Sequence, residues 1–179
     1  MNFVPEQNKQ TQTVPYFEDT KEKDGWQGQA TTKSIDRLKT EVAESITRLG
    51  GFVSGFQQGT FMVEKQQRQG FQIHYSITAP NGQFVPGRLD VAALPVRSDT
   101  WDGKKKDKSL RMALYMLREG LDGMWLFQQL SPGFAPLMPF MIANNEGETV
   151  SQLWAKSSVM SNLLPPGESE FVEAEVLDT

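Results

Sequence analysis

The stretch FQIHYSIT, residues 71–78, alternates apolar and polar side chains without a break. This two-residue period predicts a β-strand with Phe71, Ile73, Tyr75 and Ile77 on one face and Gln72, His74, Ser76 and Thr78 on the other. Next comes APNGQ, whose Asn81-Gly82 pair is a strong signal for a tight hairpin. The return run GRLDVAALPV puts Leu89, Val91 and Ala93 on one side and Arg88, Asp90 and Ala92 on the other, and Pro95 ends regular pairing. A hairpin with one apolar face must be covered, and the flanking sequence carries the covers.

Upstream, Ile35, Leu38, Val42, Ile46 and Leu49 follow helical spacing, with Ser34 as N-cap and Gly50-Gly51 as stop. Downstream, Leu110, Leu114, Leu117, Leu121 and Met124 stripe a second helix over 108–130, ended by Ser131-Pro132-Gly133. GTFMVEKQ reads as a short first strand with Phe61 and Val63 on one side, and QRQG as the turn after it. PLMPFMIA reads as an edge strand interrupted by Pro139. TVSQLWAKSS opens with Thr149 and Gln152 at capping-box spacing, predicting a short last helix with Val150, Leu153 and Trp154 turned inward. The expected fold is α+β: a small antiparallel sheet of three to four strands with helices on one face, in the order α-β-β-β-α-β-α. Residues 1–30 read as a disordered tail in which Tyr16, Phe17 and Trp26 are docking candidates. Residues 31–162 read as a single domain, and 163–179 as a flexible acidic tail.

Composition removes several chemistries. The 179 residues include no cysteine and one histidine, His74. Disulfides, thiolate nucleophiles and cysteine metal sites are excluded, and one histidine cannot by itself build a zinc site. A histidine base for a Ser–His–Asp arrangement could come only from His74, which reads as a surface residue of the polar sheet face. GFVSGFQQG lacks the Gly-Lys-Ser/Thr ending of a phosphate-binding loop, and no GxGxxG occurs. No cofactor is expected. No apolar run approaches the roughly 18 residues of a membrane span, and MNFVPEQNKQTQT has no secretory signature. The expected location is cytoplasmic, without a membrane partner.

Charge is unevenly spread. The net charge is −4, with −2 in residues 1–30, +3 in 31–162 and −5 in 163–179. A basic body joined to an acidic tail implies a polyanionic partner or a self-masking tail. Within WDGKKKDKSLRMALYML, Lys104, Lys105, Lys106 and Lys108 crowd the start of the second helix, where the helix dipole already places positive charge. A bound phosphate would reverse that penalty. Arg88, Arg97 and Arg111 lie nearby in sequence, and Trp101 is placed to stack on a base. These eight residues are the candidate nucleic-acid contacts.

The layout resembles that of double-stranded-RNA-binding domains, which run α-β-β-β-α and carry Lys-Lys-x-Ala-Lys at the start of the last helix. The corresponding stretch here is residues 32–130, with Asp107 in the alanine position and no Gly-Pro-x-His in QRQG. The resemblance is one of layout, and it implies that the lysines span phosphates. The order is also similar to a restriction-endonuclease-like core, whose strands carry Asp and (Asp/Glu)-x-Lys around Mg²⁺. Here Asp90-Val91-Ala92 has alanine in place of the lysine, and Glu64-Lys65-Gln66 has its lysine one position early. That line implies a degenerate or divergent relative, and no hydrolysis is expected. The tail resembles in composition those of single-stranded-DNA-binding proteins. Phe171, Val172, Glu173, Glu175, Val176 and Leu177 would dock a protein partner or hold the body in an autoinhibited state.

The sequence therefore predicts a non-enzymatic accessory protein that binds single-stranded DNA or RNA, in replication, recombination or defence, encoded by a phage or other mobile element. The alternative is a protein–protein adaptor or assembly factor that uses the Met- and aromatic-rich region 112–142, with 124–142 as its apolar surface. A homo-oligomer is the remaining partner expectation.

Overall fold

Helix α1 (Ile35–Arg48) begins and ends at its sequence signals. The Ser34 side chain accepts a hydrogen bond from the Arg37 backbone N–H at 3.2 Å, and Gly50 ends the helix at φ +89°. The computed structural model describes residues 14–63, 65–98, 101 and 103–156. After α1 come β1 (Gly51–Val63), β2 (Gln66–Thr78), β3 (Phe84–Ala92), α2 (Lys104–Leu130) and α3 (Val150–Lys156), with 3-10 turns at Phe17–Asp19, Glu22–Asp24 and Met138–Phe140. The strands form one antiparallel sheet in the order β1-β2-β3, an α+β architecture. Among the described residues no helix is long and apolar enough to cross a membrane.

The central strand β2 supplies the core. Phe71, Ile73 and Tyr75 are buried together with Leu89 and Ala93, beneath Leu38, Val42 and Ile46 of α1 and Leu110, Leu114 and Leu121 of α2. The β2–β3 hairpin turns at Gly82 (φ +81°), with the Ala79 N–H donating to Gln83 O at 2.8 Å. Tyr75 sits opposite Gly87 in register, and its hydroxyl donates to the Leu137 carbonyl at 3.2 Å. Burial pushes the Tyr75 phenol well above its ordinary value.

Several expectations are corrected. Strand β1 is not a short strand around 59–66; it starts directly after α1 and pairs with β2 over its whole length. A bulge between Val53 and Gly55 breaks its alternation, so Val53 and Phe56 both face the core although three positions apart. QRQG is not a turn but the start of β2; the chain reverses at Lys65, whose φ is +67°. No fourth strand joins the sheet among the described residues. PLMPFMIA takes a 3-10 turn and makes only isolated bridges, Gly87 with Met141 and Ile142 with Thr149. Helix α2 begins at Lys104 rather than 108. The capping box of α3 forms, with the Thr149 N–H donating to Gln152 Oε1 at 3.0 Å and the Gln152 N–H to Thr149 Oγ1 at 3.3 Å, yet Trp154 is 49% exposed rather than turned inward.

The first 30 residues also depart from expectation. Residues 14–30 are placed against the body: the Phe17 N–H donates to the Pro95 carbonyl at 2.8 Å, and Thr20 is buried. Gly28, at φ +87°, passes so close to α2 that a β-carbon there would lie 2.6 Å from the Tyr115 ring. Tyr16, Phe17 and Trp26 are half-buried in this segment. Residues 1–13, and the acidic tail with Phe171, Val172, Glu173, Glu175, Val176 and Leu177, lie outside the described residues.

The seam between α1 and α2 is polar. Asp122 accepts the buried Ser45 hydroxyl at 2.7 Å and lies 3.5 Å from Arg48. Glu41 pairs with Lys33 at 2.7 Å and Arg37 at 3.2 Å, and lies 3.6 Å from Arg118. The hydrogen bond from Lys33 foremost, with Arg37 and Arg118, holds the Glu41 carboxyl below its ordinary value against the opposing effect of burial.

Two predictions follow from this packing. A β-carbon at Gly87 would lie 2.3 Å from the Tyr75 ring, whereas one at Gly59 meets nothing within 4 Å. Gly87→Ala is therefore expected to lower the unfolding free energy by about 1–3 kcal/mol and Gly59→Ala to change it by less than about 0.5 kcal/mol, measured by urea denaturation. Glu41 titrates lower in the folded than in the unfolded state. Its contribution is complete above the ordinary value of 4.5 and lost as pH falls through the lower folded value. Glu41→Gln should destabilise by about 1 kcal/mol at pH 7 and flatten the acid limb of the stability–pH curve. An unaltered acid limb would show that Glu41 does not drive the acid response.

Candidate nucleic-acid interface

The first turns of α2 are fixed to the sheet by one buried contact. Ser109, 1% exposed, donates its hydroxyl to the Leu94 carbonyl just past β3 at 2.8 Å. This bond sets the start of α2 beside the end of the sheet, where the sequence has placed its lysines. Gly103, at φ +67°, lets the chain enter the helix with no side-chain cap.

Lys104, Lys106 and Lys108 are exposed on these turns, and Lys105 is half-buried. Lys106 reaches a cleft of about 460 Å³ between the end of the sheet and the chain leading to α2. One wall is Gln66, Gln67, Arg68 and Gln69 of β2; the other is Val96, Arg97 and Lys106, with Tyr16 at the margin. Arg68 is held by two carbonyls, donating from Nε to Ala93 O at 2.7 Å and from a terminal nitrogen to Ala92 O at 2.9 Å. The lining has three cations and four glutamine or tyrosine side chains capable of hydrogen bonding, and no carboxylate. Such a surface can bind a polyanion by charge and contact bases or sugars through amides.

The structure brings together only part of the eight candidates. Lys104, Lys105, Lys106, Lys108 and Arg97 share this end of the fold. Arg88 does not: it sits on the opposite sheet face, paired with Asp90 at 3.0 Å and donating to Gly147 O at 2.9 Å and Gln152 Oε1 at 3.1 Å. It clamps the α3 region to the sheet. Arg111 is turned into a 2.5 Å pair with Asp107, one helical turn back. Trp101 is fully exposed, outside the cleft lining. Tyr16 was expected only as a docking aromatic, and Arg68 and the β2 glutamines were not anticipated at all. Reading QRQG as a turn hid Arg68 and the glutamines, and the available signal was a polar run continuing in register with FQIHYSIT.

Acidic chemistry does not assemble in the described part. Asp90 is engaged by Arg88, Glu64 lies outside the described residues, and among the described residues no group of three or more His, Asp or Glu side chains could hold a metal ion. No protein-family model, curated protein or solved structure matches the chain.

Removing the hydroxyl in Ser109→Ala would leave the Leu94 carbonyl unpaired in a buried site. A loss of about 1–3 kcal/mol is expected by chemical denaturation; no loss would mean that the bond does not fix the start of α2.

Proposed function

We propose that this protein binds nucleic acid without catalysing a reaction on it, using the lysine-rich start of α2 and the adjoining cationic cleft. The carrying observation is that Lys106 lines one cleft together with Arg68 and Arg97, with Lys104 and Lys108 exposed on the same first turns of α2. Cations at a helix N-terminus oppose the helix dipole. An incoming phosphate removes that conflict and accepts hydrogen bonds from the same groups. Fully exposed Trp101 offers a ring to unpaired bases, which favours single-stranded DNA or RNA. Few groups read base edges, so binding should be weak and sequence-tolerant. The proposed setting is cytoplasmic, as an accessory to replication, recombination or defence, with a mobile element as its source.

A second reading, a protein-binding adaptor, draws on the other end of α2. Leu126, Phe127 and Leu130 are exposed there, Leu130 at 82%, and Phe134 and Met138 line an adjacent cleft of about 360 Å³. That patch lies roughly 35 Å along the helix from Lys104, at 1.5 Å per residue, so the two surfaces could act separately.

Fluorescence anisotropy with a labelled 20-nucleotide single strand, titrated at several salt concentrations, tests the first reading. Four lysine–phosphate contacts predict a log–log slope of about −3. Replacing Lys104, Lys106 and Lys108 together by Ala should remove about two units of that slope and leave the circular dichroism spectrum intact. No binding at 50 mM salt would falsify this reading and leave the adaptor as the better account.

A further inference from the structure

We infer that the Tyr16–Asp19 turn is a built-in acidic latch on Arg97, at the margin of the cationic cleft, and on Lys105 beside it, which a polyanionic ligand must displace before it engages those two cations. The inference rests on the nucleic-acid reading and names a regulation of the same site. Glu18 carries the contact. One carboxylate oxygen accepts the Arg97 backbone N–H at 3.2 Å, and the other accepts the Ser98 N–H at 3.3 Å and lies 3.5 Å from Lys105 Nζ. Two successive backbone N–H groups converging on one anion, with a lysine beside them, form an anion-binding concavity of the kind that also takes phosphate. Asp19 lies 2.5 Å from the Arg97 guanidinium, which also sits 4.8 Å from the centre of the Tyr16 ring.

The turn thus presents two carboxylates and one aromatic ring to the cations, the same chemical groups that a short single strand presents as phosphates and a base. Burial would raise the Glu18 carboxyl, but the Arg97 and Ser98 N–H groups and Lys105 outweigh it and keep the group ionised at neutral pH. The latch is also weak enough to open. The Arg97–Asp19 pair is 58% and 47% exposed on its two sides, and exposed ion pairs are screened by water and salt. A strand carrying many phosphates competes with it through several contacts at once, whereas a single phosphate does not.

If Glu18 and Asp19 instead brace Arg97 for binding, removing them should weaken binding, so the two roles predict opposite signs. The test uses the full chain and the labelled 20-nucleotide strand at low salt, comparing wild type, the double substitution Glu18→Gln with Asp19→Asn, and a control, Asp36→Asn with Glu44→Gln, which removes equal charge on exposed positions of α1. The Glu18/Asp19 variant should bind about three- to tenfold tighter than wild type, and clearly tighter than the control. Saturating strand should also speed trypsin cleavage at exposed Lys21 and Lys23 in the wild type, because displacing the turn frees the following segment. Equal affinity in the variant and the control, weaker binding in the variant, or protection of Lys21 and Lys23 on binding would each overturn the inference while leaving the nucleic-acid reading standing. If no form binds the strand, the nucleic-acid reading fails and the inference falls with it.

Discussion

Burial of the inner face of β2 is the constraint on which the rest of the structure depends. Phe71, Ile73 and Tyr75 are central in the sheet and lie in one core cluster with side chains from both edge strands and both long helices. The Tyr75 ring fills the space above Gly87, and its hydroxyl satisfies the Leu137 carbonyl. One side chain thereby links β3 and the segment following α2 to the central strand. A polar hydroxyl is tolerated at that depth because it has a partner; without one its burial would be unfavourable.

The same packing places charge. With its stripe seated on the sheet, α2 cannot rotate, and Ser109 fixes its first turns against the end of β3. Lysines that oppose the helix dipole are held there by hydrophobic contacts further along the helix. The conflict is local and is offset elsewhere in the packing. At the opposite seam, charge is used differently: Glu41 and Asp122 are each shared among several basic partners and join α1 to α2.

Much of the fold was legible. Ser34, Gly50, Asn81-Gly82, Pro95 and the Thr149–Gln152 pair act through contacts within a few residues, and each acts in the structure as its chemistry dictates. Strand β1 was legible only in part, because the bulge after Val53 shifts its period and glycines dilute its apolar residues. The turn at Lys65 carries no glycine or proline signal, so its position is set by pairing between strands. Of the candidate site, the lysines were visible as a cluster in sequence. The pairs of Arg111 with Asp107 and of Arg88 with Asp90 are local and lay within reach of sequence reading, whereas the bonds of Arg88 to Gly147 and Gln152 and the recruitment of Arg68 depend on partners brought near by folding.

Periodicity, caps and composition alone determined an α+β chain without cysteine chemistry, with the inner residues of β2 and β3 and the basic helix start assigned. Those properties are local or additive along the chain. Tertiary structure alone decided that Arg97 and Lys105 meet Glu18 and Asp19, nearly 80 residues away in sequence for the Arg97–Asp19 pair. It also decided that the N-terminal aromatics dock rather than trail. Side chains so far apart in the chain meet only after the sheet and its helices have set where each backbone passes, and no local pattern encodes that distance.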